Sequence, residues 1–334
     1  MRDAEMSNPA QTASVVICAY TEDRWPDLVA AVQSVLDQTA PAHEVIVVID
    51  HNPALLERAT GGLPGATVIP NDGSRGLSGA RNSGIIASTG EVVAFLDDDA
   101  IASPDWLEHL IVPFDREEVF AVGGTIFAAW ESEAPRWFPE EFLWVVGCTY
   151  RGQPTSTTPV RNVIGANMAF RRRVFDEVGL FRDDIGRVGT EPVGCEETEI
   201  CIRAGQRWPD QMAIFEPRAT VRHRVPAQRG SVRYFRARCF AEGRSKAQVA
   251  AYVGQADGLA TERDYTLRTL PKGALRGATD LFRGDAAGVG RSVAIVAGLG
   301  MTTIGYCMGR LGSPRRTETR SQEPNPELAH VAAR

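Results

Sequence analysis

The sequence predicts an α/β protein: a mostly parallel sheet flanked by helices, followed by a helical C-terminal appendage. Three observations predict it. Apolar runs rich in Val and Ile, such as Val45-Ile46-Val47-Val48-Ile49, lack polar alternation, as strands buried on both faces do. These runs alternate with longer amphipathic stretches, the pattern of β-α-β units. At 334 residues the chain is long enough to bury such a core and to carry further structure beyond it.

Residues 1–13 are polar and read as a loose tail. A strand over 14–19 opens the fold, and an amphipathic helix over 26–38 follows, with Pro26 at its start. The second buried strand, 44–49, stops at Asp50. A helix over 53–60 and a strand over 66–69 complete a β-α-β-α-β series. A helix over 78–89 leads into the apolar strand 91–96, Pro104 sits where another helix begins, and 119–127 is the next strand. The stretch 128–162 is irregular, with Trp130, Trp137, Phe138, Phe142, Trp144 and Tyr150 among prolines. Regular structure returns with a strand over 165–170, a helix over 172–178, a glycine-rich loop and a helix from Glu196. Short strands over 211–215 and 220–222 precede a helix that begins near Ser231. After Asp257 the pattern is helical, residues 292–309 carry no charge, and the polar tail 313–334 is expected to be disordered.

The net charge of −6 argues against a dedicated nucleic-acid binder. Arginine supplies nearly all the positive charge, Lys246 and Lys272 being the only lysines. The six cysteines show neither Cys-x-x-Cys nor zinc-type spacing, and several lie in apolar runs, so a reducing compartment is expected. The first dozen residues lack a basic-then-apolar pattern, which leads us to expect a cytoplasmic protein.

The most informative segment is Phe95-Leu96-Asp97-Asp98-Asp99-Ala100. Three carboxylates at the carboxyl end of a buried strand repel one another unless a divalent cation and a polyanionic ligand share the space. Open α/β sheets bind ligands at that end of their strands. The preceding Gly76-Leu77-Ser78-Gly79-Ala80-Arg81-Asn82-Ser83-Gly84 reads as a helix start, with small residues and an arginine suited to an anion. Together the two segments resemble the core of the family 2 glycosyltransferases, and the resemblance extends over about residues 14–246. It implies the GT-A fold, a Rossmann-like architecture that handles nucleotide-diphosphate sugars. Residues 14–256 would then be the catalytic domain, with 14–127 holding the nucleotide and 128–256 the acceptor, and 257–312 a helical, membrane-associating region.

The resemblance also implies roles. Asp99 binds Mg2+ or Mn2+, with His223 as a metal ligand or diphosphate contact, and Asp97 and Asp98 support the donor. Tyr20, Glu22 and Asp50 meet the nucleotide base. The second strand ends in Asp50-His51-Asn52-Pro53 where the family usually has Asp-Asp-Gly-Ser or Asp-Asn-Ser, so the base identity stays open. Arg81 holds ribose and diphosphate, while Asn167 and Glu196 reach donor sugar or acceptor. In Glu196-Glu197-Thr198-Glu199-Ile200-Cys201-Ile202-Arg203, which matches the family's Glu-Asp-x-Asp-Leu-x-x-Arg, Glu197 becomes the general base that deprotonates a sugar hydroxyl. Residues Glu196, Glu199 and Arg203 are also spaced to pair along one helix.

The implied activity is inverting transfer from a nucleotide-diphosphate sugar, first a UDP-sugar, to a hydroxyl of a glycan or polyprenyl-linked acceptor. The aromatic stretch fits either a packed loop or an acceptor wall, and the two are compatible. Basic residues crowd between Arg218 and Lys246 against Glu242 alone, which suits phosphates or anionic lipid heads. The uncharged run 292–309 is flanked by Arg291 and Arg310, so a peripheral position at the inner face of the cell membrane is expected. A sugar-nucleotide pyrophosphorylase and a non-catalytic sugar-nucleotide binder are the competing readings. The first would need a glycine-rich anion loop after the first strand, where Ala19-Tyr20-Thr21-Glu22-Asp23-Arg24 stands instead.

Overall fold

The computed structural model describes residues 11–187, 194–258 and 260–312. The expected tails, except for residues 11–13, lie outside the described residues. The chain begins with β1 (Ala13–Ala19), α1 (Trp25–Leu36), β2 (Glu44–Ile49), α2 (Pro53–Gly62), β3 (Thr67–Pro70), α3 (Leu77–Ala87) and β4 (Val92–Asp97). β5 (Ala100–Ala102), α4 (Trp106–Ile111), β6 (Val119–Trp130), β7 (Thr158–Val160), β8 (Asn167–Arg171), α5 (Arg172–Glu177) and α6 (Glu196–Arg207) follow. The last part holds β9 (Met212–Val225), α7 (Val232–Val253), the short α8 (Gln255–Gly258) and α9 (Ala260–Asp264), then α10 (Leu270–Phe282) and α11 (Ala287–Gly312).

One sheet runs through the molecule in the order β3-β2-β1-β4-β8-β6-β9-β5, with β7 also paired to β9. The first four strands are parallel, as the β-α-β pattern predicts. β8 then enters antiparallel to β4, β6 antiparallel to β8, and β9 parallel to β6. The sheet is therefore parallel in the first half and mixed in the second. Strand alternation sends Val15 and Ile17 to one core and Val16 to the other. Both faces are covered, which is why the strands read as unbroken apolar runs.

Two boundaries differ from expectation. Residues 211–215 and 220–222 belong to a single strand, β9, whose register to β6 jumps from Gly124↔Glu216 to Thr125↔Thr220. Pro217 lies in the jump; it has no N–H to give the ladder, and its carbonyl accepts from the Thr125 hydroxyl instead (2.9 Å). Pro104 stands ahead of α4 rather than at its first turn.

The C-terminal helices share a core with the sheet. Leu270, Ala294 and Ile295 are buried in the same cluster as Phe142 and Phe235. α11 lies along α7 at backbone contact: a methyl at Gly243 would collide with the Thr302 carbonyl, and one at Gly305 with that of Phe240. Buried Glu141 pairs with Arg276 of α10.

Candidate active site

The acidic motif forms a tight turn between β4 and β5, so successive carboxylates point in different directions. Asp97 stays half-buried, whereas Asp98 and Asp99 are buried. Antiparallel pairing of β5 with β9 sets Ala100 opposite His223, and the Arg224 N–H donates to the Asp99 carbonyl (2.8 Å). That register brings His223 Nε2 to 3.1 Å from Asp99 Oδ1 and 3.9 Å from Asp97 Oδ2. The ligand atoms of Asp97, Asp99 and His223 lie within 4.8 Å of one another.

Burial by itself would raise the Asp99 carboxyl, but His223, Arg24 and Arg229 hold it far below the usual carboxylate range. For His223 burial pulls the other way, and the Asp99 carboxylate lifts the imidazole to about 10. Two carboxylates and an imidazole meeting at one point fit a divalent cation. Asp98 is different. Burial and the Asp99 charge push it up to about 7, Arg24 Nη1 donates to its Oδ1 (2.9 Å), and its buried Oδ2 has no hydrogen-bond partner among the described residues.

On the other side, α6 starts from Cys195, whose φ of 78° is left-handed. This turn aims Glu196 and Glu197 inward. Arg81 Nη1 donates to Glu196 Oε1 (2.7 Å), Nη2 donates to the Gly165 carbonyl (3.1 Å), and Nη2 lies 3.6 Å from Asp97 Oδ1. One guanidinium thus spans from Asp97 to Glu196, the neighbour of Glu197. Glu197, half-buried, faces a cavity of about 740 Å³. Burial and its neighbour Glu196 push its carboxyl up to about 8.

The family model described as glycosyl transferase family 2 matches residues 14–179. The glucosyl-dolichyl phosphate glucuronosyltransferase of Haloferax volcanii is 37% identical over 237 residues, 70% of this chain and 75% of that protein. The chain is a family 2 glycosyltransferase. The succinoglycan biosynthesis protein ExoM of Rhizobium meliloti is 27% identical over 296 residues, 84% of this chain and 86% of its own. The mannosyltransferase PcManGT from Pyrobaculum calidifontis, solved with GDP-Man and Mn2+, superposes with a TM-score of 0.56 at 19% identity, covering 87% of both chains. GalNAc-T7 with UDP, GalNAc and Mn2+ superposes at 0.50 and 20% identity over 78% of this chain and 55% of that one. At such identities these likenesses show the fold, which is GT-A.

The glycosyltransferase brings Asp97, Asp99 and His223 together, and through Arg81 joins them to Glu196 beside Glu197. Asp97, expected with the donor, lies with Asp99 and His223 in the group that could hold a cation. Three expected contacts have other partners. Arg81, expected on the diphosphate, is 2% exposed and enclosed by Glu196, Asp97 and the rings of Phe95 and Phe181. Asn167, expected on a sugar, is 0% exposed. Its amide donates to the Thr125 and Ala219 carbonyls, and its oxygen accepts from Trp106 Nε1, so it ties β8 to its neighbours. Asp98 points into the protein toward Arg24, as described above. The start of α3, expected to suit an anion, is capped internally: the Gly76 N–H donates to Asp50 Oδ2 and the Leu77 N–H to the Arg187 carbonyl.

On the base side, Asp50 is buried and also accepts from Asn71 Nδ2 (2.7 Å), Tyr20 is half-buried with Arg24 over its ring, and Glu22 is exposed. Sequence reasoning missed Arg24 and Arg229; their only signal was a position just after a strand or within the basic crowd. The aromatic stretch divides in two. Trp137 and Phe138 pack against Phe235, with Trp130 on Phe138, while Phe142, Trp144 and Tyr150 line the cavity.

Proposed function

We propose that the enzyme transfers a sugar, with inversion, from a nucleotide-diphosphate donor to a hydroxyl of a glycan carried on an isoprenoid phosphate, using a divalent cation and Glu197 as base. The reading is carried by one observation: Arg81 bridges the cation-binding carboxylate Asp97 and the acid pair next to Glu197. The two chemical tasks of such a transfer, holding a diphosphate and deprotonating a hydroxyl, thereby fall to groups that one guanidinium links. Asp97, Asp99 and His223 would hold the cation, which when bound neutralises charge growing on the departing diphosphate. Glu197 takes the proton from the acceptor hydroxyl as its oxygen attacks the anomeric carbon. The bond from that carbon to the phosphate oxygen breaks, and its electron pair leaves with the nucleoside diphosphate. Tyr20 and Asp50, at neighbouring strand ends, remain our choice for the base contacts. The isoprenoid carrier is proposed from the dolichyl phosphate in the name of the Haloferax relative and from the apolar character of α11.

α11 has the length and composition to cross a membrane, with 22% of its apolar window buried. Its inner side is docked on α7, while Val293, Val296, Ile304, Met308 and Leu311 face outward beside Leu275 and Phe282 of α10, the last 90% exposed. An exposed apolar face without charge supports a helix lying in the membrane surface. The test is a panel of UDP- and GDP-sugars incubated with polyprenyl-phosphate glycosides and Mn2+, read by mass spectrometry. A single glycosylated product that disappears with chelator is expected; donor consumption unaffected by chelator would overturn the cation-dependent reading.

A further inference from the structure

The cavity facing Glu197 carries charge that transfer chemistry does not use. Arg238 Nη1 donates to Glu242 Oε2 (2.8 Å), and Lys246 Nζ lies 3.4 Å from Glu242 Oε1. Lys246 Nζ also donates to Glu262 Oε1 (2.6 Å), and Arg161 Nη1 donates to Glu262 Oε2 (2.8 Å). This ladder begins and ends on a cation, with three positive charges against two negative. All five side chains are mostly buried and line the cavity. The other acids on the wall lie outside the ladder: burial and the neighbouring Glu196 push the Glu197 carboxyl toward its neutral form, and Asp264 pairs with Arg268 (2.8 Å). A charge excess in a half-enclosed space is stabilised by an anion that enters it. Next to the ladder the wall becomes apolar and aromatic, through Phe142, Trp144, Leu299 and Tyr306. Leu299 and Tyr306 stand on α11, the same helix that turns Val296 and Ile304 outward.

We propose that the Arg238–Lys246–Arg161 ladder seats the phosphate of an isoprenoid-phosphate acceptor. The acceptor sugar then points to Glu197, and the isoprenoid chain runs past Leu299 and Tyr306 to the apolar face of α11. This rests on the transfer reading of the Glu197 site. A phosphodiester carries one negative charge, which matches the ladder's single excess positive charge. Cation and donor play no part in the seat, so it can be tested without either.

Calorimetry on the full chain in chelator, without nucleotide sugar, compares farnesyl phosphate with farnesol, inorganic phosphate and dihexanoyl phosphatidylglycerol. Farnesyl phosphate should bind at least about tenfold more tightly than each of the other three. Lys246→Met and Arg161→Gln, on separate elements and each checked by thermal melting, should shrink the preference over farnesol to about threefold or less. Equal binding of farnesol overturns the phosphate seat. Equal binding of inorganic phosphate or of the glycerol lipid overturns the isoprenoid path. The wild-type comparison stands even if a variant fails to fold. Loss of donor turnover with these preferences intact would count against the transfer reading alone.

Discussion

Burial and the neighbouring Glu196 raise the Glu197 carboxyl to about 8, and the consequence can be measured in two ways. The base must be ionised to act, so kcat/KM should climb with pH toward about 8 and then level. Glu197→Gln keeps shape and hydrogen bonding but cannot take the proton. It should lower turnover roughly 10²–10⁴-fold while nucleoside diphosphate affinity stays close to that of the wild type. The same carboxyl acts on stability. Its folded pKa lies above the unfolded value, so its favourable contribution is complete below the unfolded pKa and lost as pH rises through about 8. Thermal melts should therefore show Glu197→Gln gaining over the wild type at pH 8.5 and little at pH 4; a gain that is equal at both would mean the carboxyl is not perturbed. Asp99→Ala removes the carboxylate nearest His223. Mn2+ titration followed by electron paramagnetic resonance should show free metal where the wild type binds, and unchanged binding would remove Asp99 from the cation site.

At the scale of elements, glycines decide how the C-terminal helices meet the rest. Gly305→Ala sets a methyl against the Phe240 carbonyl and Gly243→Ala one against that of Thr302. Each should lower the denaturation midpoint by an amount corresponding to about 1–3 kcal/mol, because backbone cannot yield as a flexible side chain does. Substitution at Gly300, which has open space around it, is the matched control. Elements also show what the sequence made legible. The parallel half was readable because buried strands and their crossover helices are local patterns, each complete within a short stretch. Asp99, His223 and Glu197 were legible as candidates because motif position carries their type, and the structure sets the first two side by side. The buried partners of Arg81 and Asn167 were not legible, because a polar residue near a strand end looks the same from sequence whether it faces a ligand or closes a buried network. The joining of β9 and the α7–α11 contact depend on pairings between distant segments, which local periodicity does not encode.

Over the whole molecule, the apolar face of α10 and α11 and the cavity behind it form one continuous feature. Val296→Glu with Ile304→Glu changes two outward-facing residues, the first 67% exposed, and should leave the fold intact. Flotation with anionic vesicles should recover the wild type in the lipid fraction, partly retained at high salt because apolar contact is not screened. The double variant should stay below. Equal flotation would make this face a contact with something other than lipid. A truncation after Gly258 removes Leu270, Ala294 and Ile295 from the shared core, so it should melt well below the full chain rather than behave as a free catalytic unit.

The cavity wall is gathered from residues 142–164, 195–198 and 238–306. A ribosome delivers these in order, so Asp97, Asp99 and His223 all exist before Leu299 and Tyr306 are made. A chain interrupted in that interval would lack the last part of the wall together with the buried Leu270, Ala294 and Ile295, so the core around the earlier elements would stay unfilled. The final helix is therefore the piece whose arrival closes both the core and the cavity, and release of the chain from the ribosome is the moment at which the fold can be completed.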